Sequence, residues 1–72
     1  MLAVTAISFR GGHCELLKGK LDRRLLREIA EELVRSHVEG GEIWINGDGR
    51  MRFSDEIPPE LHQRLRNILT QT

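Results

Sequence analysis

Apolar positions along the chain follow two spacings, and the pair of spacings occurs twice. Residues 3–10, Ala-Val-Thr-Ala-Ile-Ser-Phe-Arg, are rich in small and β-branched side chains and place Ile7 and Phe9 on one face at period two, which predicts a strand. Gly11-Gly12 supplies positive φ without a Cβ penalty and predicts a hairpin turn. A second strand is expected over about residues 13–18, where adjacent Leu16 and Leu17 leave the inward face ambiguous by one residue. Leu25, Leu26, Ile29, Leu33 and Val34 then recur at helical spacing. Asp22 is the expected N-cap, with Leu21 and Leu26 as a hydrophobic staple, and Gly40-Gly41 the expected C-terminal stop of a helix over about residues 22–38. Arg23, Arg24, Arg27, Glu28, Glu31, Glu32 and Arg35 fall mainly on its solvated side.

The order then repeats. In residues 42–54, Asn46-Gly47-Asp48-Gly49 carries turn chemistry, and a three-residue loop over 47–49 pairs Ile45 with Met51 and Ile43 with Phe53 on one face. Trp44 then stands opposite Arg52 on the other face, with Asn46 and Arg50 beside them. Pro58-Pro59 and Glu60 suit a helix start, and Leu61, Leu65, Ile68 and Leu69 form the apolar stripe of that helix. His62, Gln63, Arg64, Arg66 and Asn67 lie largely outside the stripe.

A shift of 36 residues brings Ile7 onto Ile43, Phe9 onto Ile45, Gly11 onto Gly47 and Leu17 onto Phe53, and later Leu21 onto Ile57, Leu25 onto Leu61, Ile29 onto Leu65 and Leu33 onto Leu69. Two ββα units can also align in this way through apolar pattern alone. Neither unit is large enough to bury its own apolar face, so both must share a core. The expectation is one α+β domain over residues 1–72, a ββαββα two-layer sandwich. Its four-stranded, mainly antiparallel sheet would carry two helices on one face. The alignment favours Leu17 over Leu16 as the core residue of the second strand.

Composition narrows the functional classes. Eleven basic residues balance eleven acidic ones, which excludes a strongly basic nucleic-acid binder, and no apolar run reaches the ~18–20 residues of a membrane span. The N-terminal Met1-Leu2 and the residues after them lack the basic region and cleavage site of a signal peptide. With one Cys in the chain, a cytoplasmic setting is the default expectation. The neutrality is segmental: residues 10–27 carry six basic and two acidic groups, residues 28–42 one basic and five acidic, so two copies could complement each other.

Catalytic and metal chemistry find little support. His13 and Cys14 are adjacent on a strand and face opposite ways, which suits no shared ion. Cys14 has no evident base beside it, Gly47-Asp48-Gly49 lacks the ending of a phosphate loop, and Glu28, Glu31 and Glu32 are assigned to water. No catalytic residue, metal or cofactor is expected. The surface of interest is the sheet face away from the helices, where Trp44, Arg50 and Arg52 combine. An aromatic flanked by arginines suits a stacking platform for single-stranded nucleic acid, a protein contact or simple self-coverage of the indole.

Phe53-Ser-Asp-Glu-Ile-Pro-Pro-Glu-Leu-His-Gln-Arg-Leu-Arg-Asn-Ile68, with Gly40-Gly-Glu-Ile43 and Lys18-Gly-Lys-Leu21 before it, resembles a family of small uncharacterised bacterial domains. That family has an "FS-x-x-IP … QRLRN" signature. The resemblance covers most of the chain and implies no activity. It draws attention to Gln63, Arg64, Arg66 and Asn67, for capping or for a binding edge. A non-catalytic protein-binding or self-associating module, a homodimer foremost, is therefore the expectation, with a nucleic-acid module as the alternative.

Overall fold

A computed structural model describes residues 3–70, so Met1 and Leu2, which open the apolar N-terminal run, lie outside the described residues. The elements are β1 (Ala3–Arg10), β2 (His13–Lys18), α1 (Arg23–Arg35), β3 (Gly40–Asn46), β4 (Met51–Phe53) and α2 (Pro59–Leu69). The strands form one antiparallel sheet in the order β2-β1-β3-β4, so β1 and β3 are central and β2 and β4 are edges. Ile7 and Phe9 of β1 and Ile43 of β3 meet Ile29 and Leu33 of α1 and Leu61, Leu65 and Leu69 of α2 in one buried cluster. Both helices therefore cover the same face, as an α+β two-layer sandwich requires.

The first hairpin turns at Gly11 and Gly12, both at positive φ. The second turns through Gly47–Gly49: Asn46 donates to the Arg50 carbonyl at 2.8 Å, Gly49 donates back to Asn46 at 3.0 Å, and Gly49 takes φ 86°. Ile43–Phe53, Trp44–Arg52 and Ile45–Met51 are the observed pairs of that hairpin, as the sequence predicts.

The first loop has two residues and the second three, and this overturns the assignment of Leu17 to the core. Ile7 pairs with Leu16, as Ile43 pairs with Phe53, so Leu16 is the counterpart of Phe53. Leu17 sits in a β-bulge, where the partner of Ala6 has slipped to Lys18, and is 53% exposed. The bulge adds back the residue that the shorter loop lacks. A shift of 36 therefore brings the bounds of β1 close to those of β3 and the start of α1 onto that of α2, but it does not match the strand pairing along β2.

α1 begins as predicted: the Asp22 side chain accepts from the Arg24 amide at 2.9 Å, and Leu21 and Leu26 both pack against the core. Its end differs. The helix stops at Arg35, and Gly40 and Gly41 belong to β3. A Schellman turn closes it, with the Val38 amide donating to Leu33 at 2.9 Å and the His37 amide to Val34 at 3.0 Å, and with His37 itself at φ 62°. Val38 reaches the core through that turn. Gly41 is glycine for space: a Cβ there would stand 2.8 Å from Ile57 Cγ1 and 3.1 Å from Ser54 Oγ.

Two α1 side chains depart from their expected sides. At 100° per residue Val34 lies about 140° round the helix from Ile29, whereas Glu32 lies only about 60° away. Val34 is accordingly 52% exposed, and Glu32 is buried at 7%. Leu25, Ile29 and Glu32 follow the i, i+4, i+7 spacing of a buried row. The pattern was visible; the charge hid it.

Candidate functional site

The residues singled out in the sequence divide between the two sides of the molecule. Across the open sheet face, Lys18, Ala6, Trp44 and Arg52 form one row of the ladder. Trp44 is half-buried, and Ala6, its partner on β1, is 8% exposed, so a small residue lies beside the indole. The neighbouring row is Glu15, Ser8 and Glu42, which sets two carboxylates on the same face. Arg50 lies at the loop end, ion-paired with Asp48 at 3.6 Å.

Gln63, Arg64 and Arg66 occupy α2, on the opposite layer. Gln63 donates to Asn67 Oδ1 at 3.0 Å within the helix. Arg64 donates from Nη1 to Glu32 Oε2 at 2.9 Å, tying α2 to α1, while Arg35 reaches Glu32 Oε1 at 2.9 Å. The guanidinium of Arg66 lies 5.6 Å from the Phe53 ring centroid. His62, expected largely outside the apolar stripe, is half-buried and stacks on Phe53 with centroids 4.1 Å apart, its Nε2 3.1 Å from the Ile57 carbonyl oxygen. Trp44 and Arg52 thus do not meet the α2 set. His62 and Arg66 of α2 thereby close the helix layer over Phe53 of β4.

The two sheet edges are unequal. β4 has three residues, and the Phe53 side chain is covered by His62 and Arg66. β2 has six residues and no such cover. Beside it, on the helix side, lies an open groove of about 510 Å³. Cys14, Leu26, Ala30 and Val34 line it, together with the charged Arg23, Arg27, Glu31 and Arg35 of α1. The turn of Gly11-Gly12 and the Schellman segment through His37 and Val38 frame a second hollow adjoining it.

The groove arises from local rules. α1 packs its Glu32 flank towards α2, so its Leu26-Ala30-Val34 flank is left facing the edge of the sheet. In the two-residue hairpin Arg10 and His13 are the closing hydrogen-bonded pair, so the amides and carbonyls of Cys14 and Leu16 turn to the open edge. Burial pushes the Cys14 thiol up to about 11, so at neutral pH it stands protonated in the groove wall. The sequence reading missed this groove because it placed Val34 in the core. Val34 was the available signal, lying outside the helical stripe of Leu25, Ile29 and Leu33.

Among the described residues no helix is long and apolar enough to cross a membrane. No curated protein and no solved structure matches the chain. A family model does, over residues 1–72, in agreement with the expected resemblance to a family of small uncharacterised domains. The chain belongs to the family described as "Protein of unknown function (DUF3634)".

Proposed function

We propose that this chain is a non-catalytic protein-binding module, with the free edge of β2 and the adjoining α1 groove as its contact surface. The observation that carries the reading is the conjunction of unpaired strand groups at Cys14 and Leu16 with an apolar trough lined by Leu26, Ala30 and Val34. An extended segment added to such an edge gains main-chain hydrogen bonds from the strand and side-chain burial from the trough. The non-catalytic part of the reading is supported by how the reactive groups are used. Glu32 is occupied by two arginines, and the Cys14 thiol is held protonated.

Selection of random displayed peptides on the immobilised chain tests this reading. Enriched peptides should lose about tenfold or more in affinity for Ala30→Arg, which fills the trough, and keep their affinity for Trp44→Ala on the other face. Peptides that ignore Ala30→Arg would overturn it.

The second reading is a single-stranded nucleic acid across the open face, favoured by the row of Lys18, Trp44 and Arg52. Glu15 and Glu42 in the next row weigh against it, because they would lie beneath a phosphate backbone. A rise in Trp44 fluorescence anisotropy on titration with mixed oligonucleotides at low salt would favour this second reading over the first.

A further inference from the structure

We infer that the occupant of the β2 edge is a second copy of this chain, paired antiparallel about a two-fold axis at Cys14. This rests on the groove being a protein-contact surface, and it adds the identity of the partner and the register. Three observations lead to it.

The first is where the edge can pair. β2 is regular from His13 to Leu16 and is interrupted by the bulge at Leu17, with the turn glycine Gly12 before it. Within that stretch a two-fold can centre on Cys14 or on Glu15, and the Cys14 centre sets His13 of each copy opposite Glu15 of the other. Cys14 turns its N–H and C=O outward, as a residue on the axis of a hydrogen-bonded pair must. Pairing centred on Glu15 would instead set two carboxylates face to face, which cross-strand pairs disfavour.

The second is the helix above. Arg23 and Arg27 lie towards the N-terminal end of the groove wall, and Glu31 towards its C-terminal end, with small Ala30 between. An isologous two-fold runs α1 antiparallel to its copy, so that Arg27 of each meets Glu31 of the other while Ala30 permits close approach. Arg35 is already taken by Glu32 at 2.9 Å and adds little repulsion.

The third is what remains exposed. Val34 is 52% exposed in the single chain, and the same two-fold covers it together with Leu26 and Cys14. A chain of 72 residues has a small core, and shared burial at such an edge is a common supplement to it.

Sedimentation equilibrium of the full chain up to millimolar concentration tests the inference, with circular dichroism to confirm folding of each variant. The wild type should dimerise and Ala30→Arg should remain monomeric. His13→Glu, which sets a new carboxylate against Glu15 across the axis, should weaken the dimer about threefold or more, and adding Glu15→Lys should restore it. A wild type that stays monomeric overturns the self-pairing alone, because peptide capture reads the groove separately. A dimer that Ala30→Arg leaves intact overturns the site, and failure of the double variant to restore the dimer overturns the register.

Discussion

The buried carboxylate of Glu32 accepts from the Arg64 guanidinium at 2.9 Å, across 32 residues of sequence and from one helix to the other. Its second oxygen-borne partner, Arg35, lies one helical turn on. Both arginine side chains are about two-thirds exposed, so solvent screens them. Removing Arg64 leaves Glu32 still paired, and Arg64→Ala should cost only about 0.5–1 kcal/mol. Glu32→Ala removes the common acceptor and opens a gap in the helix seam, costing about 1–2 kcal/mol. Urea unfolding of both single variants and the double variant would show the coupling. Independent, additive losses would mean that the pair does not hold the helices together.

Leu16 and Leu17 offer a sharper contrast. Leu16 packs against the core opposite Ile7, and Leu17 projects from the bulge. Leu16→Ala should destabilise by about 1–2 kcal/mol, as expected for a partly buried leucine. Leu17→Ala should stay within about 0.5 kcal/mol. Equal losses in thermal or urea unfolding would contradict the observed register.

That contrast also shows what the sequence could and could not carry. Elements, their order, both turns and the second hairpin register were legible because period-two and period-3.6 patterns and turn glycines are local signals. Ile7 pairs directly with Ile43 between the two central strands, and both carry the period-two apolar signal. The bulge at Leu17 was not legible, since two adjacent leucines satisfy either face until the loop length is known. Charge alone points Glu32 to solvent and His62 falls outside the apolar stripe, whereas in the structure Glu32 is buried and His62 half-buried. Their partners, Arg64 and Phe53, come from other elements, and only the tertiary arrangement unites them. The candidate groove was hidden for the same reason: an edge strand is defined by strand order, which no local pattern states.

At the end of α1, His37 occupies the left-handed position that glycine ordinarily fills, at φ 62°. Its side chain is exposed, so little packing is lost on truncation. His37→Gly relieves the Cβ clash at that backbone conformation and should stabilise the chain by about 1 kcal/mol, whereas His37→Val should destabilise it by a similar amount. A rise in the thermal midpoint for glycine and a fall for valine check this. No change in either would mean that the turn adjusts freely.

Cys14 gives the chain a predictable alkaline response. Burial raises its thiol from 9.0 to about 11 in the folded state, so the unfolded chain loses this proton first as pH rises. Above the unfolded value the folded state binds more protons than the unfolded one, and stability then falls with pH. The contribution is whole below pH 9 and declines through the window between 9.0 and about 11. Cys14→Ala removes the titration, so its stability should fall less steeply over that window than that of the wild type in urea unfolding at graded pH. The same burial should slow alkylation of Cys14 by iodoacetamide at pH 8 relative to the urea-unfolded chain, because only the thiolate reacts. Parallel pH profiles for the two proteins, with equal alkylation rates folded and unfolded, would place the thiol in open solvent.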